Sequence, residues 1–366
     1  MCRGVNEQDN SYHPVHCAYT QLTMHLFALE NLSPLPITPL PCALPYALNW
    51  EDLLPILPGF DRNCRDLAQA FASHRKQGLN GGENSIILTL RYPGGGDELL
   101  SRIVFVKSQT DLRKREAEKY RYLDAHGVPT PRLLAALRKG DAEVIVLEFL
   151  PKIGIDFNSH SEVNDLLHLV AQVNSLPISL GLFDSPPGMP QEEFDRLVYA
   201  ALQRMDSNPA LPGIDVPRWF AAYQQCQEDK EQMPLAVNHN EFFFQQTGWA
   251  QRGTERKLVI FDLETMCIRP RLTDLASILY PLSRYTGQAQ EDLLHGYLDY
   301  LHPHTNDQTH YADALRELRI LRIVESCYSL PWLSGESVVS DDFDTASSLS
   351  MAADCLRADL TVLGLA

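Results

Sequence analysis

Hydrophobic and polar residues alternate along residues 79–107, and the glycine-rich turn YPGGG at residues 92–96 interrupts the alternation. A period of two residues is typical of half-buried strands, so this stretch predicts two antiparallel strands joined by the turn. Residues 111–127 change to helical spacing, with Gly127 just after the expected helix end. A buried strand is predicted over residues 143–150. Together these patterns predict a small α+β lobe built on an antiparallel sheet.

From residue 160 onward, the apolar positions recur mainly at the spacing of amphipathic helices. Only residues 235–239 and 257–264 have strand character in this part of the chain. Helices are predicted at residues 163–176, 192–205, 217–233, 273–287, 290–301 and 311–330. A larger helical lobe is therefore expected after the small sheet lobe, with the junction near residues 150–151.

The segment before the sheet lobe is rich in proline. Residues 32–45 predict an extended, polyproline-like arm on the surface, and the second half of residues 49–76 has helical spacing. We expect three regions: an N-terminal extension over residues 1–60 that is partly irregular, an N-lobe over residues 61–150, and a helical C-lobe over residues 151–366.

Composition narrows the function classes. The chain has 31 basic and 47 acidic residues, a net charge of -16, which argues against a nucleic-acid binder and against docking on an anionic membrane. An acidic field suits a cationic substrate, although acidity that only maintains solubility is the preferred interpretation. None of the eight cysteines forms a C-x-x-C pair, so neither a zinc site nor a redox motif is indicated. No secretory signal is visible, and prolines interrupt the apolar residues 32–54, so a cytoplasmic protein without a membrane span is expected.

Two loops of the helical lobe carry candidate chemistry. The stretch HNEFFFQQ at residues 239–246 presents Glu241 and Gln246, and the strand KLVIF is followed by Asp262 and Glu264. One acid that accepts a proton and another that holds Mg²⁺ suit phosphoryl transfer, and an amide oxygen is an acceptable ligand for a hard cation. For either loop alone, polar residues that only face water or cap a strand remain an equal or better explanation.

The sheet lobe adds a lysine and an acid. Lys107 follows the apolar run IVFV, and Glu116 lies nine residues later on the predicted helix. A lysine held by a helix glutamate can bind nucleotide phosphates, whereas a solvated surface lysine is the simpler alternative. The glycine-containing turn with Gly82, Asn84 and Ser85 is a further candidate for binding nucleotide phosphates. Glu148 and Leu150 lie in a candidate hinge segment whose backbone groups could bind the nucleotide base. The functional interpretation is favoured because these features occur along the chain as one series: glycine turn, strand lysine, helix glutamate, hinge, the loop at residues 239–246 and the strand-end aspartate.

In that order the sequence resembles the aminoglycoside phosphotransferase and choline kinase-like superfamily, from about Leu79 to about Tyr280. The segment REAEKYRYLDAHGVPTPRLL resembles its helix and linker, residues 239–246 its catalytic loop H-[GN]-D-x-x-x-x-N, and residues 261–264 and 274–276 its motifs I-D-x-E and D-L-A. The resemblance implies a bilobal, protein-kinase-like α+β fold that uses ATP or GTP with Mg²⁺.

The resemblance also implies a role for each matched residue. Lys107 would bind the α- and β-phosphates, with Glu116 orienting it, while backbone groups near residues 148–150 would contact the base. Asp262 would ligate Mg²⁺ together with Gln246. Glu241 would be the catalytic acid–base residue, and His239 and Asp274 would brace its loop. Glu241 and Gln246 depart from the family pattern, because each is one methylene longer than the family's Asp and Asn.

Three function hypotheses follow. The first is a phosphotransferase that acts on a hydroxyl of a small molecule, such as a cationic metabolite or an aminoglycoside-like compound. The second is a pseudokinase that binds nucleotide or metabolite without transfer. The third, a protein kinase, is disfavoured because no D-F-G or A-P-E motif follows Asp262. The acidic residues Asp341, Asp342 and Asp344 could meet a cationic substrate, but a solvated loop explains them better.

Overall fold

The computed structural model describes residues 38–39, 44–58, 71–76, 84–93, 99–184, 190–211, 213–302, 310–334 and 345–365. The chain divides into two compact units. The larger unit comprises residues 25–186 and 235–308, and the smaller unit includes residues 187–234 and 309–366. The predictions for Gly82, for the glycine turn at 94–96, for most of residues 32–45 and for Asp341, Asp342 and Asp344 lie outside the described residues.

A six-stranded antiparallel sheet dominates the larger unit. Its strands follow the order β1-β2-β3-β4-β6-β5 across the sheet. The strands are β1 (Thr38–Pro39), β2 (Phe71–Lys76), β3 (Ser85–Pro93), β4 (Leu99–Gln109), β5 (Leu133–Lys139) and β6 (Ala142–Glu148). The register of β3 against β4 places Ser85 opposite Lys107. The two predicted strands of this hairpin are therefore confirmed, with β4 continuing two residues beyond Lys107.

The segment before the sheet is part of its core. The short helix α1 (Trp50–Leu53) begins at Asn49, whose side chain accepts a hydrogen bond from the Asp52 N–H at 3.1 Å. Leu48 and Leu53 are buried against residues such as Leu88 and Val104 of the sheet. The described residues 44–57 thus cover one face of the sheet, because their apolar side chains need burial as much as those of the strands do.

The helical spacing expected for the second half of residues 49–76 is wrong over its last six residues. Residues 71–76 form β2, which pairs with β3 from Phe71 opposite Arg91 to Lys76 opposite Ile86. Strand β3 has an edge whose N–H and C=O groups need partners, and pairing with β2 satisfies them where local periodicity favours a helix.

Helix α2 (Glu116–Ala125) follows β4 and confirms the predicted helix. Its end is a Schellman motif, in which the Val128 N–H donates to the Leu123 C=O and the Gly127 N–H donates to the Asp124 C=O, each at 3.0 Å. Gly127 has a φ of 75°, the left-handed conformation that glycine adopts without steric cost. The helix therefore ends where the sequence predicts, and the chain is redirected into the β5–β6 hairpin.

The remainder of the larger unit positions two loops. Helices α3 (His160–Asn174), α6 (Thr273–Thr286) and α7 (Gln290–Leu301) accompany two small antiparallel sheets. One sheet pairs β8 (Leu235–Asn238) with β11 (Cys267–Pro270), and the other has β9 (Thr247–Arg252) between β7 (Lys152–Ile153) and β10 (Glu255–Ile260). The loops after β8 and β10 carry Glu241 and Asp262, and the two loops are joined because the Phe261 N–H donates to the Gln246 C=O at 2.9 Å.

The smaller unit is helical in its described residues. It contains α4 (Gln191–Asp206), α5 (Val216–Glu231), α8 (Tyr311–Leu333) and α9 (Thr345–Val362). Helix α8 contacts the other three, and Arg322 of α8 forms an ion pair with Asp359 of α9, with Nε donating to the carboxylate at 3.0 Å.

The α+β class, with a small antiparallel sheet and a mostly helical remainder, is confirmed. All six helices predicted after residue 160 are present, with ends within a few residues of those expected. The division at residues 60 and 150 stays a prediction. No described helix combines the length and the apolar character that a bilayer crossing requires.

Candidate active site

Lys107 lies at the centre of an ion cluster. Alternation along β4 places Val104 and Val106 in the sheet core, so Lys107 emerges on the opposite face. Its Nζ lies 3.0 Å from Glu116 Oε2, 2.5 Å from Asp262 Oδ1 and 3.1 Å from Glu264 Oε2. Burial by itself would lower the pKa of Lys107, but the three carboxylates outweigh it and raise the pKa well above the usual value. The ammonium is therefore fixed in its charged form.

Glu116 and Tyr120 lie one helical turn apart on α2 and face this cluster. Glu116 is almost completely buried, and burial together with the neighbouring acids raises its pKa to about 7, although Lys107 opposes the rise. Its second oxygen, Oε1, has no hydrogen-bond partner among the described residues. The Tyr120 hydroxyl accepts a hydrogen bond from the Asp262 N–H at 3.2 Å. One helix thus orients Lys107 and supports the backbone of Asp262.

Asp262 follows β10 in a left-handed backbone conformation, with φ 64° and ψ 53°. Non-glycine residues adopt this conformation rarely, and Asp and Asn are enriched among those that do. Burial would raise the pKa of the carboxyl group, but the charge of Lys107 and its hydrogen bond hold the pKa below its usual range. The strand end therefore presents an ionised carboxylate to the cluster.

A turn of 3₁₀ helix, Leu263–Thr265, follows Asp262 and adds Glu264. While Oε2 of Glu264 lies beside Lys107, its Oε1 lies 3.0 Å from Lys114 Nζ. The backbone C=O of Glu264 accepts a hydrogen bond from Lys119 Nζ at 2.8 Å. Glu264 is therefore bound on both sides, and it extends the cluster to a second cation, Lys114.

The loop after β8 is braced from within the fold. Asp274, at the start of α6, accepts hydrogen bonds from the N–H groups of His239 and Asn240 at 2.7 and 2.9 Å. The fully buried His239 ring contacts the Phe261 C=O through Nε2 at 2.9 Å, and burial lowers its pKa. Asn240 has a φ of 73°, a left-handed conformation that asparagine and glycine adopt more readily than other residues. These bonds join the loop to α6 and to the end of β10, and the role of His239 and Asp274 as braces of a catalytic loop stays a prediction.

Glu241 is the exposed acidic side chain of this loop, and Phe243 is exposed beside it. Among the described residues, nothing forms a hydrogen bond or an ion pair with its carboxylate. Burial of part of the group and the negative charges of Asp262 and Glu264 raise its pKa above that of an ordinary glutamate. A raised pKa makes the carboxylate a stronger proton acceptor, and the coupling to Asp262 places both groups in one site.

Gln246 turns back on its own loop. Its Oε1 accepts a hydrogen bond from the Phe243 N–H at 3.1 Å. An amide oxygen has two lone pairs, so the one not used by Phe243 is open to a cation. The Gln246 side chain therefore closes the 3₁₀ turn Phe244–Gln246, and its role as a metal ligand stays a prediction.

A pocket of about 790 Å³, including the part open to solvent, lies beside the cluster. Its walls include the side chains of Ser85, Phe105, Leu147, Leu150 and Phe261. The size and the apolar lining are typical of a site for a cofactor or a nucleotide. Of the predicted contact residues, Ser85, Glu148 and Leu150 line this pocket, whereas the exposed Asn84 does not, since it lies beyond the end of β3.

The segment between β6 and β7 provides backbone groups at the pocket. Glu148 ends β6, and its side chain is held by Arg132 and Arg252, which lower its pKa despite burial. In the described part of the chain, the N–H and C=O groups of Phe149 and Leu150 make no hydrogen bond. These groups are therefore available to the edge of a planar base.

The acids suit a magnesium ion held jointly with a phosphate group. Within the described residues, no group of three or more His, Cys, Asp or Glu has the arrangement of a complete metal cage. Mg²⁺ is usually held by one or two carboxylates together with substrate phosphates and water, so a complete cage is not required. The ionised Asp262, whose side chain is 41% exposed, has a face toward solvent for such an ion.

Three residues of the site were not assigned roles from the sequence. Glu264 follows Asp262 by two positions, and this D-x-E spacing was the available signal. Tyr120 and Glu116 share a helix face through their i, i+4 spacing, but an apolar stripe explained Tyr120 equally well. Lys114 gave no signal, because a basic residue in the run RKR at 113–115 is typical of a solvated turn.

Comparison with known proteins assigns the family. The model of the phosphotransferase enzyme family matches residues 89–324, whereas no curated protein matches the chain. The fold is similar to an aminoglycoside phosphotransferase from Alicyclobacillus acidocaldarius, with 13% identity over 76% of this chain and 89% of that chain and a TM-score of 0.52.

Two further solved structures share the fold. An ethanolamine kinase from Plasmodium vivax has 12% identity over 78% of this chain and 83% of that chain, with a TM-score of 0.50. A spectinomycin phosphotransferase in complex with ADP and spectinomycin has 12% identity over 79% of this chain and 93% of that chain, with a TM-score of 0.50. At these identities the likeness concerns the fold, while the family model covers well over half of the sequence, and the chain belongs to the phosphotransferase enzyme family.

Proposed function

We propose that this protein transfers the terminal phosphoryl group of ATP or GTP to a hydroxyl group of a small molecule, with Mg²⁺ as cofactor. The observation that carries the proposal is the cluster in which Lys107 contacts three carboxylates at 3.1 Å or less beside the apolar pocket. Phosphoryl transfer depends on positioning and on neutralising charge, and this cluster brings together the groups that do both.

The charge balance of the cluster supports a divalent cation. Two ammonium groups, Lys107 and Lys114, face the carboxylates of Glu116, Asp262 and Glu264, and Glu241 is coupled electrostatically to the same group. Lys119 adds a third ammonium group, since it bonds the Glu264 C=O. With all four acids ionised, the formal charge is about -1, and a bound cation would offset this residual negative charge. A Mg²⁺ ion held at these carboxylates would supply the compensating charge and would withdraw electrons from the phosphate oxygens.

Lys107 and the pocket would hold the nucleotide. Lys107 is fixed by Glu116, so its ammonium is aimed without further loss of side-chain entropy. The rings of Phe105 and Phe261 form apolar walls for a base, and the free backbone groups of Phe149 and Leu150 would pair with its edge.

The metal would be held by Asp262, with Gln246 and Glu264 as the nearby oxygen donors. Asp262 has the lowered pKa that a ligand requires, because an ionised carboxylate binds a hard cation best. Gln246 would use the lone pair that its bond to Phe243 leaves open.

Glu241 would orient the acceptor hydroxyl and take its proton. Its carboxylate makes no bond within the described residues, so it is free to accept one from a substrate, and its raised pKa strengthens it as a base. The extra methylene relative to aspartate moves the carboxylate outward, which would suit an acceptor placed farther from the loop.

The net charge and the shared fold give the order in which acceptors should be examined. The net charge of -16 attracts cations, so amino alcohols and amino sugars are the first acceptors to examine. The solved structures that share the fold include an ethanolamine kinase and a spectinomycin phosphotransferase, which gives the panel two chemical classes.

Nucleotide consumption and product formation should be measured over such a panel with the wild type and with Asp262→Asn. Glu255→Gln is the matched control, since Glu255 is an exposed acid on β10 of the same unit. Turnover that Asp262→Asn abolishes and Glu255→Gln preserves is the expected result. Normal nucleotide binding without turnover of any acceptor would overturn the proposed transfer.

A binding protein without transfer is the second candidate. The specific observation in its favour is that Gln246, at the second metal position, uses its oxygen to bond the Phe243 N–H. The double variant Glu241→Asp with Gln246→Asn separates the two functions. Activity that appears only in the double variant would identify a pseudokinase, whereas a fall from a measurable wild-type rate would identify a working loop.

A further inference from the structure

A second cavity of the larger unit lies on the other side of Tyr120. We call it the rear pocket, and define it by Ile56, Arg102, Arg121, Arg132 and Leu134, with Tyr120 and Pro131 as the wall that it shares with the nucleotide pocket. It encloses about 1400 Å³, including its open mouth. Because five positions separate Arg102 from Lys107 on β4, the two side chains point to opposite faces of the sheet.

The rear pocket concentrates arginine in an acidic protein. Three guanidinium groups, from Arg102, Arg121 and Arg132, line it together with a single acid, the exposed Asp124. A planar guanidinium presents several N–H donors in a fixed geometry that matches phosphate and carboxylate oxygens. In a chain with a net charge of -16, such a local excess of positive charge indicates attraction for an anion.

Charged groups of the described residues neutralise the three arginines only in part. Arg102 donates to the Ile56 C=O, an uncharged acceptor. The Arg121 guanidinium makes no hydrogen bond or close ion pair with the described residues, although its charge contributes to lowering the pKa of Glu118. Arg132 reaches Glu148 at 3.4 Å, but the same carboxylate is bonded by Arg252. Burial lowers the pKa of Arg102, the positive charge of Arg132 lowers it further, and the negative charge of Glu148 opposes both. Glu148 is therefore one carboxylate shared by Arg102, Arg132 and Arg252, and an added anion would supply a second.

Two physical connections link the rear pocket to the candidate active site. The Tyr120 ring lies between the two pockets, and its hydroxyl bonds the backbone N–H of Asp262. Arg132 lines the rear pocket and pairs with Glu148, which lines the nucleotide pocket. A ligand that draws Arg132 toward itself therefore competes for the partner of Glu148, and one that presses on Tyr120 acts on the backbone of Asp262.

We propose that the rear pocket is a regulatory site for a small multivalent anion bearing phosphate or carboxylate groups, and that its occupancy changes nucleotide affinity. Anion binding here does not depend on the proposed transfer reaction, whereas the coupling rests on nucleotide binding at Lys107. Linkage requires the coupling to be reciprocal, so the nucleotide must change anion affinity by the same factor.

Inorganic phosphate and citrate are the probes, and they distinguish the two anion chemistries. Calorimetry is performed on the full chain with the nucleotide pocket filled by a non-hydrolysable ATP analogue and excess Mg²⁺, which prevents the probes from binding at Lys107. Arg121→Ala and Arg132→Ala remove exposed side chains, so neither disturbs the core. Arg138→Ala is the matched control, an exposed arginine of β5 that does not line the rear pocket.

We expect one probe to bind, with Arg121→Ala and Arg132→Ala each weakening it about tenfold, the loss typical of one charge-assisted hydrogen bond. Arg138→Ala should bind it like the wild type, and the saturating probe should change the nucleotide Kd of the wild type but not of Arg121→Ala. Binding of neither probe, or binding that is equal in all four proteins, would overturn the site. Binding that leaves the nucleotide Kd unchanged would overturn its regulatory role. Because no readout uses turnover, failure of the proposed transfer would leave these results standing.

Discussion

The Lys107 cluster and the Glu241 loop differ in how their reactive groups are held. Lys107 contacts Glu116, Asp262 and Glu264 at once, and each of these acids is supported from another element. The backbone of the Glu241 loop is equally well braced, by Asp274, but the Glu241 carboxylate has no partner in the described residues.

This difference corresponds to two kinds of chemistry. A group that neutralises phosphate charge acts best when it is fixed before the reaction, because reorganisation during the reaction costs energy. A group that meets a variable acceptor must leave its hydrogen-bonding capacity open for the substrate. The cluster also matches the family pattern, while the loop departs from it at Glu241, the proposed base, and at Gln246, a proposed metal ligand.

Removing the lysine tests the preorganised side and should have the largest effect. Lys107→Met is expected to lower kcat/KM on the order of 1,000-fold or more and to abolish tight nucleotide binding, since three acids lose their shared cation. Steady-state kinetics and a nucleotide-binding titration measure both. Lys257→Met, at an exposed lysine of β10, is the control. If Lys107→Met kept the nucleotide affinity of the wild type, the Lys107 cluster would not be the preorganised nucleotide site that distinguishes it from the Glu241 loop.

Removing the charge of the free carboxylate tests the other side. Glu241→Gln is expected to reduce kcat on the order of 100- to 1,000-fold, the usual worth of a general base, with the nucleotide Kd unchanged. Rapid-quench measurement of the transfer step separates this effect from product release. A parallel loss of nucleotide affinity would mean that Glu241 belongs with the Lys107 cluster.

Removing the brace tests whether the loop needs its rigid backbone. Asp274→Ala leaves the N–H groups of His239 and Asn240 without their acceptor, and a shift of the loop by about 1 Å should cost roughly 100-fold in rate. Each buried N–H left unpaired also costs about 1–3 kcal/mol in the free energy of unfolding. Urea denaturation and kinetics measure the two effects, and Asp274→Asn, which keeps one oxygen, should fall between the wild type and Asp274→Ala.

Restoring the shorter side chains should have a smaller effect on the rate. Glu241→Asp with Gln246→Asn retracts both groups by one methylene, and we expect the rate to fall roughly tenfold if the loop is adapted to its acceptor. The two single variants complete a double-mutant cycle. A non-zero coupling energy would show that the two lengthened side chains compensate for each other.

The smallest effect on activity, and a clear effect on stability, is expected at Lys119. Burial lowers the pKa of this lysine to about 8. Below that pH the folded protein holds a charged ammonium group in a buried position, which lowers the free energy of unfolding. The unfolded chain keeps a pKa of about 10.4, and the resulting penalty, on the order of 3 kcal/mol, disappears as the pH rises from 8 toward 10.5.

Lys119→Met is therefore expected to raise the free energy of unfolding at pH 7 by about 1–2 kcal/mol, because it also loses the hydrogen bond to the Glu264 C=O. The advantage over the wild type should vanish near pH 10.5. Urea denaturation at both pH values measures the difference, and a difference independent of pH would contradict the titration of Lys119.

Residue type and spacing were sufficient to predict part of the candidate site. Lys107, Glu116 and Asp262 meet because a strand, a helix and a strand end are each recognisable from local periodicity and their order is that of the family. The turn of Gln246 toward Phe243 was not predictable, because it depends on a rotamer chosen by a backbone N–H three residues away.

The missed features of the fold have the same origin. Residues 71–76 form a strand because a neighbour offers an open edge, which is a tertiary cause that periodicity cannot register. Likewise, the contribution of Leu48 and Leu53 to the sheet core depends on where the chain returns after the proline-rich segment. Local sequence patterns therefore predicted individual helices and strands. The pairing of β2 with β3 and the packing of residues 44–57 on the sheet could be seen only in the folded chain.

The left-handed backbone at Asp262 has a consequence for how this protein can change over generations. Asparagine tolerates the same backbone as aspartate, and one nucleotide change in the codon exchanges the two residues. Such a substitution removes the ionised group yet keeps the turn and its bond to Tyr120. The substitution also removes one of the three carboxylates beside Lys107, while Glu116 and Glu264 remain. The residue found at this position in descendants of the chain therefore reports whether they still use the proposed chemistry.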